Sequence, residues 1–169
     1  MQYTIKKGNH FASPYNLKWH KGDTLRYLAT FDRRCYYDTL PEGHEGDWNK
    51  LGYWFHLHPW YKGVCHVWRW VNIDGKRVFQ IGYYWHDKSL KYSGSGVLLT
   101  IRFDTIPDSV AVSCEISQIV SGVYFRAEYG KQTASYIIGM TARLTCLQPP
   151  YFGGQATAPH DMGITIDMF

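Results

Sequence analysis

The chain has 169 residues, 45% of them hydrophobic and 19% charged, with a formal net charge of +4. That length suits one domain over residues 1–169 with a core of its own, and the balance excludes a disordered chain. Basic residues cluster no further than the pairs Lys6-Lys7 and Arg33-Arg34, which argues against a nucleic-acid partner, whereas a mild positive bias suits an acidic polysaccharide.

The first eight residues, Met1 to Gly8, lack the apolar run of a signal peptide, and no later window approaches a membrane span. The expectation is a protein made in the cytoplasm that reaches the outside only by lysis or within a larger particle such as a virion. A first strand is predicted over 24–31. Residues 40–63 read as one long irregular segment with Pro41, Gly43, Gly46, Gly52, Pro59 and Gly63, three His and three Trp; so long a loop in a compact domain is usually functional. Strands over 64–71 and 77–86 flank Asp74-Gly75, a hairpin signal. Ser93-Gly94-Ser95-Gly96 reads as a turn.

Period-two alternation then follows in Val97-Leu99-Ile101-Phe103, Val110-Val112-Cys114-Ile116 and Val123-Phe125-Ala127-Tyr129, with Pro107-Asp108-Ser109, Ser121-Gly122 and Tyr129-Gly130 as turns. A strand over 136–147 and a last one through Ile164-Ile166-Met168 complete the set. No stretch carries helical spacing. The fold class is therefore all-β, a two-sheet antiparallel jelly roll or β-sandwich.

Cys35, Cys65, Cys114 and Cys146 stand far apart in apolar stretches and read as reduced core thiols rather than a disulfide or zinc framework. The aromatic share is 17%, with seven Trp and fourteen Tyr. These are too many rings for one core, so some are expected to form a stacking surface.

Three groups concentrate the chemistry. The first is Tyr37-Asp38 with Asp47-Trp48-Asn49-Lys50-Leu51-Gly52. The second is the hairpin His66-Val67-Trp68-Arg69-Trp70-Val71, Asp74-Gly75 and Gly82-Tyr83-Tyr84-Trp85-His86. The third is Leu147-Gln148-Pro149-Pro150-Tyr151-Phe152-Gly153-Gly154 with Ala158-Pro159-His160-Asp161. Alternation offers two ways to dress the hairpin: one face shows His66, Trp68, Trp70, Tyr84 and His86, or else it shows Arg69, Tyr83 and Trp85.

In this order the groups resemble the concanavalin A-like lectin/glucanase superfamily, and within it a shortened form of the polysaccharide lyases that act on alginate and glucuronan. The resemblance spans roughly residues 30–169. It rests on Lys50-Leu51-Gly52, Trp68-Arg69-Trp70, Tyr83-Tyr84-Trp85-His86, and Tyr151-Phe152-Gly153-Gly154 with Ala158-Pro159 and Asp161. The proline of the first motif is missing, and His66 stands where a second basic residue is expected.

What the resemblance implies is a carbohydrate-binding, lectin-like module without catalysis. Its expected ligand contacts are Trp48, Trp54, Trp60, His66, Trp68, Trp70, Tyr84 and His86, and its partner is a polysaccharide or cell-surface glycan. An alternative is β-elimination on a uronate polymer, with Lys50 or Arg69 neutralising the carboxylate and Tyr84 and His86 as acid and base, a tyrosine beside cations having a lowered pKa. A third is a structural part of a homo-oligomer or larger assembly. No cofactor is required. His56 and His58 form a His-x-His pair suited to a metal, and Asp38, Asp47 and Asn49 offer oxygens of the kind calcium takes. Asp161 and Gly153-Gly154 are expected to serve the fold, Asp161 by pinning the closing turn.

Overall fold

The computed structural model describes residues 1–38, 40, 43–44, 46–55, 63–86, 93–140 and 144–169 and, of Tyr53 and Phe55, the backbone alone. Described in chain order, the strands are β1 (Gln2–Ile5), β2 (Ala12–Ser13), β3 (Lys18–Trp19), β4 (Thr24–Asp32), β5 (Asn49–Lys50), β6 (Tyr53–Phe55) and β7 (Gly63–Ile73). They continue with β8 (Lys76–His86), β9 (Ser93–Arg102), β10 (Ser109–Ile119), β11 (Gly122–Tyr129), β12 (Gln132–Ile138), β13 (Cys146–Gln148) and β14 (Met162–Met168). A short 3-10 turn at Arg33–Cys35 follows β4.

These strands form two antiparallel sheets packed as a β-sandwich. The first runs β12-β11-β10-β4-β14-β1-β2 and the second β3-β13-β6-β7-β8-β9, with β5 paired to β7. Alternation explains the packing: β4 buries Leu25, Tyr27, Ala29 and Phe31, and β10 buries Val110, Val112, Cys114 and Ile116. The second sheet answers with Val64, Trp68 and Trp70 from β7 and Phe79 and Ile81 from β8. Phe31 lies 5.1 Å from Trp68 and 4.9 Å from Phe79, centroid to centroid, so the sheets meet through interlocked rings.

Three expected elements differ. The segment 40–63, expected to be irregular throughout, contributes β5 and β6 to the second sheet, because Asn49–Lys50 and Trp54–Phe55 pair with β7. Ser93-Gly94-Ser95-Gly96 belongs to β9 instead of a turn, because the rings of Trp85 and Tyr83 press on the backbone where Gly94 and Gly96 carry no side chain. The expected strand over 136–147 is divided between the end of β12 at Ile138 and β13 at Cys146. Asp161 pins the chain as expected of a fold residue: its carboxylate accepts from Lys6 Nζ at 2.7 Å and from the Lys7 amide at 2.9 Å.

The four cysteines are free and buried. Burial pushes the Cys65 thiol up to about 12, which leaves it a small apolar filler at neutral pH. Among the described residues no helix is long and apolar enough to cross a membrane.

Candidate functional site on the outer face of the second sheet

The site begins with a turn. Asp74 and Gly75 have φ of 53° and 75°, the geometry of a two-residue hairpin whose twist matches its strands. The turn pairs Ile73 with Lys76, and the register that follows sets Arg69 opposite Gln80, Val67 opposite Gly82 and Cys65 opposite Tyr84. Residues directly opposed share a face. Odd positions of β7 therefore join even positions of β8 on the outside, while His66, Trp68 and Trp70 join Tyr83, Ile81 and Phe79 on the inside.

This phase corrects both expected dressings of the hairpin. Tyr84 and His86 lie with Arg69, not with the tryptophans. Trp54, His66, Trp68 and Trp70 are buried in the core and present nothing to a ligand. The indole N–H groups of Trp54, Trp68 and Trp70 find no hydrogen-bond partner among the described residues. The His66 ring receives the Tyr27 hydroxyl at Nδ1, 2.8 Å away, and its Nε2 donates to the Arg126 carbonyl at 3.1 Å. Full burial drives its pKa down to about 3, so it is a neutral tie between the sheets. Trp60, His56 and His58 lie outside the described residues.

The outer face has two connected halves. In the first, Arg69 Nε donates to Gln80 Oε1 at 3.0 Å, and Gln80 Nε2 donates to Thr100 Oγ1 at 3.1 Å, a polar row across β7, β8 and β9. Arg69 Nη1 also donates to the Gly46 carbonyl. The Trp48 ring covers this guanidinium with 4.0 Å between ring centroid and Cζ, a cation–π stack. Trp48 can lie that low because Gly82 has no side chain: a Cβ there would sit 2.9 Å from the indole and 2.2 Å from the Gly96 carbonyl oxygen. Partial burial lowers the Arg69 pKa, and a guanidinium remains a cation at neutral pH.

In the second half, Lys50 stands opposite Val67 on β5 and bridges to Tyr151. Its Nζ lies 4.9 Å from the Tyr84 ring and 5.4 Å from the Tyr151 ring. His10 stacks on Tyr151 at 5.1 Å and 8°. His86 follows Tyr84 on the same face, 6.2 Å away between centroids. Burial, with Cys65 adding to it, raises the Tyr84 pKa. This is opposite to the lowering expected from nearby cations, because desolvation of the phenolate is the largest cause.

A buried amide holds the two halves in place. Asn49 Nδ2 donates to the Tyr37 hydroxyl at 3.1 Å, the same hydroxyl accepts the Trp70 amide at 3.1 Å, and Asn49 Oδ1 accepts from Gly153 N at 2.6 Å. Lys50 and the loop bearing Tyr151 are thereby bound to the core strand β7.

That use of Asn49 separates it from the expected calcium oxygens. Asp38 is exposed beside Arg77, and Asp47 Oδ2 contacts His44 Nδ1 at 3.2 Å. Among the described residues no group of three or more His, Cys, Asp or Glu converges for a metal.

Of the expected contacts the structure thus gathers Trp48, Tyr84 and His86, and it brings to the same face Lys50 and Arg69, expected only for the lyase alternative. Sequence reasoning missed Gln80, Thr100 and Tyr151 as members of the face. Counting cross-strand pairs outward from a two-residue turn would have placed Gln80 beside Arg69. No protein-family model matches the chain, and no curated protein sequence matches it either.

Proposed function

We propose that the chain binds carbohydrate on the outer face of the second sheet, and that its ligand is a uronate-containing polysaccharide. One observation carries this reading: two cations, Lys50 and Arg69, are framed by the rings of Trp48, Tyr84 and Tyr151 and by the Gln80–Thr100 row. Flat rings suit the C–H faces of pyranoses, amide and hydroxyl groups suit sugar hydroxyls, and the cations suit carboxylates. Calorimetry with oligoglucuronate, oligoguluronate and a neutral glucan tests it. Binding is expected for the uronates, weakened by added salt and about ten- to a hundredfold weaker in Arg69→Ala, as a lost charge-assisted contact of about 1.5–3 kcal/mol requires. Equal affinity for the neutral glucan, or no binding of any of the three, defeats the reading.

The enzyme alternative is favoured by one placement: Lys50, Arg69, Tyr84 and His86 all occupy this face. With its raised pKa, Tyr84 is a proton donor to a leaving oxygen, and His86 is left as the base for the C5 proton. Ultraviolet absorbance of an unsaturated uronate product distinguishes a lyase from a binder.

A further inference from the structure

Among the described residues the two sheets end in four strands, β2 and β12 in the first and β3 and β9 in the second. An edge strand leaves a row of backbone N–H and C=O groups without a ladder, and proteins keep such rows short, bulged or charged. β2 and β3 have two residues each, and β9 is broken by a register shift opposite Ile81 and Gly82. β12 is guarded in none of these ways. It runs seven residues, Gln132–Ile138, in unbroken register with β11, and its sequence contains no charge and no proline.

The turn before β12 fixes which of its groups face outward. Gly130, with φ of 58°, and Lys131 form a two-residue hairpin closed by Tyr129 and Gln132, and such a closing pair exchanges both of its hydrogen bonds. Alternation from there commits Gln132, Ala134, Tyr136 and Ile138 to β11, whereas Thr133, Ser135 and Ile137 turn their N–H and C=O groups away from it. Among the described residues no strand lies beyond this row and no other backbone bond reaches it. Its side chains are exposed, Ile137 at 51%, and the Tyr136 ring beside them at 47%.

The row is complementary to itself. Turned about a twofold axis at Ser135, a second copy sets Thr133 opposite Ile137, Ser135 opposite Ser135 and Ile137 opposite Thr133, so that every outward group finds its partner. Charge does not oppose the pairing. Arg126 and Glu128, the β11 neighbours of Ser135 and Thr133, are paired with each other, and Lys131 would face the Gly139 position of the second copy. Side chains add a modest area: the exposed half of the Tyr136 ring is roughly 100 Å². The contact therefore falls below the ~1,200 Å² of stable interfaces and suits a reversible association.

We infer that β12 is a self-association edge, through which two copies of the chain join antiparallel and continue the first sheet across a twofold axis as a reversible dimer. The inference does not depend on the carbohydrate reading, whose face belongs to the other sheet.

Sedimentation velocity of the whole protein, from low micromolar to near-millimolar concentration, tests it. The dimer fraction is expected to rise with concentration. Ser135→Pro deletes an N–H that β11 does not use and should weaken the dimer about tenfold or more. Ser135→Lys keeps the backbone intact and sets like charges across the axis, for a weakening of about fivefold, and Ser135→Glu should do the same. Mixed together, the Ser135→Lys and Ser135→Glu proteins should associate more tightly than either alone.

A wild-type protein that stays monomeric throughout overturns the inference. A dimer that Ser135→Pro and Ser135→Lys leave at wild-type strength does so too, and so does a mixture no tighter than its components. A dimer dissolved by Trp19→Ala and untouched at Ser135 would belong to the indole on β3, which is 69% exposed, and would also overturn it.

Discussion

The two faces of the β7–β8 hairpin come from the same twenty-odd residues and follow opposite rules. Inside, Trp68, Trp70, Phe79 and Ile81 are sealed against the first sheet, and His66 is admitted only as a neutral, fully hydrogen-bonded ring. Outside, Arg69, Tyr84 and Lys50 are half-covered by each other and by Trp48 and keep their charge and polar atoms near water, over a buried Gln80 that ties Arg69 to Thr100. An abundance of aromatics was therefore a poor guide to which rings meet a ligand. The deciding quantity is the phase of the pairing, which one turn sets.

The contrast can be tested first from the inside. Trp68→Ala should lower the unfolding free energy by about 3–5 kcal/mol, the range for emptying a large buried ring, read from urea midpoints. A change below about 1 kcal/mol would place Trp68 at the surface after all.

A second test uses acid. The His66 pKa is about 3 in the folded chain against an ordinary 6.5, so the unfolded state takes up the proton first as pH falls. This contribution is complete above pH 6.5 and is lost as pH drops toward 3. Between pH 6.5 and 4.5, above the range where the lowered Glu115 carboxyl titrates, the loss should approach about 2 kcal/mol, at no more than about 1.4 kcal/mol per pH unit. His66→Asn should flatten that limb of the stability–pH curve.

The smallest effect belongs to the outer face. Thr100→Val removes the acceptor of Gln80 Nε2 and should cost about 1 kcal/mol, with a matching loss of uronate affinity if the row orients Arg69. An unchanged affinity would reduce the row to scaffolding.

Much of the architecture was written plainly in the chain. Alternation in Val110-Val112-Cys114-Ile116 and Val123-Phe125-Ala127 marks strands because one face of each is apolar and the other is not, and the burial follows that pattern. The site was legible only in part. Lys50, Arg69, Tyr84 and His86 were recognisable by residue type, but face assignment needs the relative phase of two strands, and each strand taken alone leaves it open. Ser93-Gly94-Ser95-Gly96 misled for a related reason: glycines serve turns, and they also serve strands over which large rings lie. β3 carried no local signal, since this two-residue strand is defined by pairing with a segment more than a hundred residues away.

The Tyr37 hydroxyl and the Asn49 amide give this arrangement a thermodynamic character. Because they fasten the Lys50 strand and the Tyr151 loop to β7, little backbone freedom around Lys50 and Tyr151 remains to be frozen should a ligand bind there. Association there should carry a small entropic penalty, so a shallow, open surface can hold its target with contacts that would be too weak on a floppier one.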